Sequence, residues 1–118
     1  MTVSRKDPRL YLIHILECIE KITRFTVAGK DAFFSSPLIQ DAVYRNFEVI
    51  GEAAKRIPAE VRAFDETIPW RTMAGLRDVI IHQYDGVDPT GVWAMIENDL
   101  APLAGRLRAV LERMGGTG

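Results

Sequence analysis

The residues best suited to chemistry lie in one segment, residues 70–88, which reads WRTMAGLRDVIIHQYDGVD. Arg77 carries a planar guanidinium that can hold phosphate oxygens, and His82 carries an imidazole that can accept or donate a proton near neutral pH. Together they suit acid–base chemistry at a phosphate group, which needs a group that moves protons and a cation that holds phosphate oxygens.

The spacing within the segment limits how these side chains can meet. Asp78 and His82 are four residues apart and share a helix face, so the carboxylate can orient the imidazole. Arg77 and His82 are five residues apart, which separates them by roughly 140° around a regular helix. Two arrangements remain open: the helix unwinds near His82, before Asp85-Gly86, or the site is completed by the same helix of a second subunit.

Four long segments with helical spacing of apolar residues must position this site. Their predicted starts carry a capping side chain, a proline or both, and they are Asp7-Pro8, Ser36-Pro37, Ile68-Pro69 and Asp88-Pro89. The second segment covers Leu38 to Ile57 and the third extends to about Tyr84. Pro102 should bend or divide the fourth, because proline is poorly tolerated inside a helix.

Short helices are expected at Asp31–Phe34 and Ala59–Phe64, and no strand alternation is present. The sequence therefore predicts an all-α fold: an antiparallel, up-and-down four-helix bundle with short extra helices. We expect one domain over residues 1–118, with residues 1–6 and 114–118 frayed.

Several other residues are better explained by packing than by chemistry. Gly51 lies inside the second segment, where glycine costs about 1 kcal/mol relative to alanine, so a close helix crossing is expected there. Glu48 and Glu52 resemble a carboxylate pair, but neighbouring arginines favour ion pairs on the helix surface or between helices. His14 and Cys18 are expected to be packed in the first helix.

Composition excludes several classes of protein. The 118 residues have a formal net charge of −1, one cysteine and two histidines. This excludes an internal disulfide, a tetrahedral Cys/His zinc site and a basic tail or histone-like coat, and it suits a reducing cytoplasm. Any contact with nucleic acid must then come from a local patch. No apolar run is long enough to span a membrane, and the polar start is unlike a signal peptide. We expect a cytoplasmic protein without a metal or cofactor.

The blocks around this segment resemble a known family, and the resemblance covers nearly the whole chain. The segment Arg77-Asp78-Val79-Ile80-Ile81-His82-Gln83-Tyr84 resembles the Arg-x4-His signature of the HEPN superfamily and, more closely, the His-x-Tyr form of its HepT-like toxins. Family-like blocks also occur at residues 7–12, 45–56, 68–71 and 84–88. One departure is Asp78, where many relatives carry Asn; its charge could weaken RNA binding or tune His82.

This resemblance implies a two-fold homodimer that acts as a metal-independent ribonuclease toxin, with Arg77 and His82 catalytic and Asp78 supporting. It also implies a cognate antitoxin, a minimal nucleotidyltransferase of the MntA type, which silences such toxins by adding AMP to the tyrosine that corresponds to Tyr84. An alternative is a non-catalytic helical partner that holds substrate for a nucleotidyltransferase. The intact Arg-x4-His-x-Tyr element favours the nuclease over this binding module.

Overall fold

The structure, a computed structural model, describes residues 7–82 and 88–115, with side chains for residues 7–80 and 88–115. Over these ranges the chain forms helices and no strand, which confirms the all-α class. The helices are α1 (Pro8–Phe25), α2 (Lys30–Ser35), α3 (Pro37–Lys55), α4 (Ala59–Arg62), α5 (Trp70–Ala74), α6 (Leu76–His82), α7 (Pro89–Asn98) and α8 (Leu100–Arg113). The predicted fraying of residues 1–6 and 114–118 stays a prediction, because residues 1–6 and 116–118 lie outside the described residues.

Three of the predicted start signals cap their helices as expected. Asp7 accepts a hydrogen bond from the main-chain N–H of Arg9 at 3.0 Å, and the Ser36 hydroxyl accepts one from Ile39 at 3.1 Å. Asp88 does the same for α7. These side chains satisfy donors that the first helical turn cannot pair internally.

The start of α5 lacks a side-chain cap, although a proline precedes it. It begins at Trp70, whose indole Nε1 donates a hydrogen bond to the Asp65 carbonyl oxygen at 3.0 Å. Trp70 is buried, so this bond satisfies its one polar atom and holds the entry into α5 against the preceding connection.

The core lies mainly between α1 and α3, which make the most extensive contact between two helices in the described ranges. α3 also contacts α5 and α6, and α8 contacts α1. The largest fully buried side chains come from four helices, α1, α2, α3 and α8, and from the connection before α5: Phe33, Phe47, Leu12, Ile15, Ile22, Ile50, Ile68, Leu107, Val43 and Val110. α3 is therefore the central helix, and α5 and α6, which include the candidate site residues, pack against it.

The predicted third helix is divided. α5 ends at Ala74 and α6 begins at Leu76, with Gly75 between them. Gly75 donates its N–H to the carbonyl oxygens of Arg71 and Thr72, both at 3.1 Å, which tightens the end of α5. Glycine is a poor helix former, so a division at Gly75 costs little, although Gly51 and Gly105 lie inside continuous helices.

The predicted fourth helix is also divided, and Pro102 lies in the first turn of the second piece, α8. Proline has no N–H to donate and is tolerated in a first turn, so the division expected from Pro102 is confirmed. The four predicted long helices are thus six pieces plus α2 and α4, which match the two predicted short helices. The bundle arrangement and the two-fold dimer stay predictions.

Candidate active site

The main chain of Arg77 lies against the middle of α3. A Cβ atom built on Gly51 would be 2.7 Å from the Arg77 nitrogen, 3.2 Å from the Met73 carbonyl oxygen and 3.3 Å from the Arg77 Cβ. Cβ atoms essentially never approach a backbone nitrogen this closely, so α5 and α6 can lie here only because residue 51 has no side chain. The close crossing predicted at Gly51 is confirmed.

The guanidinium of Arg77 meets the next residue of α3. Arg77 Nε is 2.7 Å from Glu52 Oε2, and Arg77 Nη1 is 3.6 Å from Asp78 Oδ1. The Arg77 side chain is 43% exposed, so solvent and ligands can reach it. Arg77 is therefore contacted by a carboxylate on its Nε side, and its side chain as a whole remains partly open to solvent.

Arg77 belongs to a row of two acidic and two basic side chains that alternate in sign. Lys55 Nζ, at the end of α3, is 3.8 Å from Asp78 Oδ1. The order Glu52, Arg77, Asp78, Lys55 then links α3 to α6 with no net charge. The negative charge of Asp78 is accordingly offset by a lysine as well as by Arg77.

The structure assigns the two glutamates of α3 to different partners. Glu48 lies 3.5 Å from Arg45 within the same helix, whereas Glu52 pairs with Arg77 of α6. The predicted use of both residues in ion pairs is confirmed. Arg77 was not predicted as the partner of Glu52, because only arginines near the two glutamates along the chain were considered. The signal available was Gly51, which marks where another element crosses α3.

His82 is the last residue of α6, and its side chain lies outside the described residues, as does all of Tyr84. Because α6 is helical from Leu76 to His82, the positions of Arg77 and His82 are about 140° apart around its axis. The alternative in which the helix unwinds near His82, before Asp85-Gly86, falls on residues 83–87, outside the described residues, so both arrangements stay open. The role of Asp78 in orienting His82 stays a prediction.

The two other residues considered for chemistry, in α1, have different surroundings. Cys18 is 2% exposed, as expected for a packed side chain, and burial raises the pKa of its thiol. His14 is exposed, so its predicted packing is wrong. His14 lies between the buried positions Leu12 and Ile15, and a single step of about 100° turns it away from the core.

A separate cleft of about 290 Å³ opens between α5, α7 and α8. Its lining is mostly apolar and includes Phe47, Met73, Leu76 and Met95, with Arg106 as its one basic residue among those described. Neither Arg77 nor its ion-pair partners line this cleft. It therefore offers space without the groups that phosphodiester chemistry needs.

Over residues 7–82 and 88–115, no cluster of three or more His, Cys, Asp or Glu side chains is arranged to hold a metal ion. None of the helices described is long and apolar enough to cross a bilayer.

Comparison with known proteins supports the predicted resemblance. The family described as "Ribonuclease HepT-like" matches residues 15–110. A protein named "Probable ribonuclease HepT" from Thermococcus cleftensis is 42% identical over 108 residues, covering 90% of this chain and 94% of that protein. A "Putative RNase" of Caldanaerobacter subterraneus subsp. tengcongensis is 37% identical over 109 residues, covering 92% of this chain and 97% of that protein.

A longer relative from Methanocaldococcus jannaschii, named "Gamma-glutamylcyclotransferase and putative RNase", is 41% identical over 111 residues. The match covers 93% of this chain and 50% of that protein, so the chain spans about half of its length. No solved structure matches the chain. The expectation of a ribonuclease is confirmed at the level of the family. On the family match and the extent of these relatives, the chain belongs to the HepT-like ribonuclease family.

Proposed function

We propose that this chain is a metal-independent RNA endonuclease, with Arg77 and His82 as its catalytic residues, and that it acts as the toxin of a toxin–antitoxin pair. The observation that carries the proposal is the state of Arg77: its guanidinium is anchored at Nε by Glu52, is 43% exposed, and lies on the same short helix as His82. Membership of a family named for ribonuclease activity supports RNA as the substrate.

The chemistry requires no group beyond those in the chain and the RNA. A histidine imidazole removes the proton of the 2′-hydroxyl, and the 2′-oxygen attacks the adjacent phosphorus. The bond from phosphorus to the 5′-oxygen breaks, and a protonated imidazole supplies the proton that this oxygen takes. The products are a 2′,3′-cyclic phosphate and a 5′-hydroxyl. Arg77 stabilises the additional negative charge on the phosphate oxygens in the transition state.

A second copy of the chain supplies the second imidazole in this proposal. The positions of Arg77 and His82 diverge by about 140° on α6, so one helix does not direct both at one phosphate. A two-fold axis near α6 would bring Arg77 and His82 of paired protomers around a common groove. Val79, an apolar residue of α6 that is 49% exposed, is available for contact between the two copies.

Regulation by a nucleotidyltransferase antitoxin is the remaining part of the proposal. AMP attached to Tyr84, two residues beyond His82, would add bulk and negative charge close to the catalytic histidine. Both effects oppose the binding of an RNA backbone. The single HepT-like domain over residues 1–118 would then carry both the active site and the modification site.

RNA cleavage in the presence of a chelator tests the catalytic assignment. We expect the purified chain to cleave RNA and expect His82→Ala and Arg77→Ala to lose cleavage by about a hundredfold or more. Arg108→Ala is the matched control, because Arg108 is exposed and has no ion pair or side-chain hydrogen bond among the described residues. Equal cleavage by the wild type and His82→Ala would remove His82 from the mechanism.

Intact mass after co-expression with a neighbouring minimal nucleotidyltransferase tests the proposed regulation. A mass gain in multiples of the AMP adduct, absent in Tyr84→Phe, is expected together with loss of RNA cleavage. A chain that binds the nucleotidyltransferase but cleaves no RNA, modified or not, would instead support the binding-subunit alternative.

A further inference from the structure

We propose that Glu52 is a positioning residue for Arg77, which fixes the guanidinium in the orientation that presents its outer nitrogens to a phosphate. This inference rests on the proposed function, because it concerns the same site. It starts from two contacts made by adjacent residues of α3. Gly51 meets the main chain of Arg77, and the Glu52 carboxylate meets the Arg77 side chain.

The two contacts restrain Arg77 at both ends of its side chain. At the main chain, the missing side chain of Gly51 lets the Arg77 nitrogen and Cβ lie directly against α3. At the guanidinium, Glu52 Oε2 is 2.7 Å from Nε. An arginine side chain otherwise has many rotamers, so these contacts remove freedom that a phosphate would have to remove on binding.

The side of the guanidinium that Glu52 contacts matters for function. Bidentate binding of a phosphate uses two roughly parallel N–H groups of the arginine fork. Glu52 lies on the Nε side, and Asp78 is 3.6 Å from Nη1, too far for a good hydrogen bond. Among the described residues neither outer nitrogen makes a hydrogen bond, so both keep N–H groups for phosphate oxygens.

This arrangement is better explained by orientation than by stability. The side chains of Arg77 and Glu52 are 43% and 45% exposed, and ion pairs at such positions contribute little to folding. Removing the carboxylate should therefore leave the fold in place. A positional effect can still be large, because a displacement of about 1 Å at a reacting group can slow a reaction by about a hundredfold.

A double-mutant cycle on RNA cleavage tests the inference. We expect Glu52→Ala to lower kcat/KM by about tenfold, with an unchanged thermal midpoint. In an Arg77→Lys background, which lacks the planar fork, the same change should alter the rate less than about twofold. If Arg77→Lys cleaves too slowly, the cycle is repeated on the equilibrium binding of RNA to His82→Ala, where each variant is measurable. If Glu52→Ala does not fold, Glu52→Gln takes its place in the double-mutant cycle.

Glu48→Ala is the matched control, because Glu48 lies one turn away on α3 and pairs with Arg45. It should leave cleavage unchanged. A wild-type rate in Glu52→Ala overturns the inference, and so does an equal loss in both backgrounds, since Glu52 would then act independently of Arg77. Failure of the proposed function is recognised separately, by His82→Ala and Arg77→Ala variants that cleave RNA as fast as the wild type.

Discussion

The main-chain nitrogen of Arg77 lies only 2.7 Å from where a Cβ atom would be on Gly51. No side chain larger than hydrogen fits this approach without a shift of the backbone. The contact joins the centre of α3 to the second residue of α6, which is also the first residue of the Arg-x4-His element. The location of the candidate catalytic arginine thus depends on a glycine 26 positions earlier in the chain.

Substituting Gly51→Ala should lower stability and disturb the site together. The added methyl group would contact the backbone of α6 rather than a flexible side chain, so overpacking of about 1–3 kcal/mol is expected. We expect a lower midpoint in urea denaturation and weaker RNA cleavage than in the wild type.

Gly105→Ala provides the control for this prediction. Gly105 is an exposed position inside α8, and nothing lies within 4 Å of a Cβ built there. Alanine should therefore raise stability by up to about 1 kcal/mol through helix propensity alone. If both alanines change stability in the same direction, the close approach at Gly51 is not what makes that position special.

The features that the sequence predicted correctly are those set by local chemistry. Asp7, Ser36 and Asp88 cap helices because a short polar side chain before a helix can reach the free N–H groups of its first turn. Pro102 marks a division because proline lacks the donor that a continuous helix needs. Such signals are complete within a few residues, so no knowledge of the tertiary fold is required.

The features that were missed depend on contacts between distant segments. The pairing of Glu52 with Arg77 joins α3 to α6, and periodicity in one helix does not reveal which face of another it meets. The division at Gly75 was missed because isolated glycines are tolerated in helices, as Gly51 and Gly105 are. Only the packing of α5 and α6 on α3 distinguishes these three glycines.

Removing the charge of Asp78 should strengthen RNA binding. Its carboxylate is 3.6 Å from Arg77 Nη1, where it opposes the approach of a phosphate. We expect Asp78→Asn to tighten RNA binding by about threefold at low salt, with a smaller gain at high salt because exposed charges are screened. Affinity is measured in the His82→Ala variant, so that the RNA is not cleaved.

Lys55→Ala tests the same charge network in the opposite direction. Lys55 is 3.8 Å from Asp78 and offsets its charge, so its removal should weaken RNA binding. In the Asp78→Asn background the loss should shrink, since there is no longer a carboxylate to offset.

The control for the Asp78→Asn prediction is Asp31→Asn, which changes the net charge equally by neutralising a carboxylate in α2. An equal gain in affinity from Asp31→Asn and Asp78→Asn would show that the position of the charge is unimportant.

Arg62 should stabilise the end of α3. Its Nε donates to the carbonyl oxygen of Ile57, just beyond α3, at 3.0 Å, and its Nη2 donates to that of Ala54, in the last turn, at 3.2 Å. The Ala54 oxygen also accepts from the Ile57 N–H, so Arg62 adds to the hydrogen bonds that close the end of α3. Arg62→Ala should lower the free energy of unfolding by about 1–2 kcal/mol. Arg108→Ala removes an exposed arginine without such bonds and should change it by less than about 0.5 kcal/mol. A similar loss in both would indicate an effect of charge rather than of capping.

Cys18 should resist alkylation in the folded protein. The side chain is 2% exposed, and burial raises the pKa of its thiol from an ordinary value of 9.0. At pH 8 the folded chain therefore holds less of the reactive thiolate than free cysteine does, and reagent has little access to it. We expect iodoacetamide to add one adduct by intact mass in guanidinium chloride and almost none over the same time in buffer. Glutathione in each solution serves as the control for reagent activity. Because the chain has one cysteine, each adduct reports on this position alone. Rapid labelling in buffer, at a rate close to that of glutathione, would contradict the packing of the α1 residue Cys18 against the rest of the core.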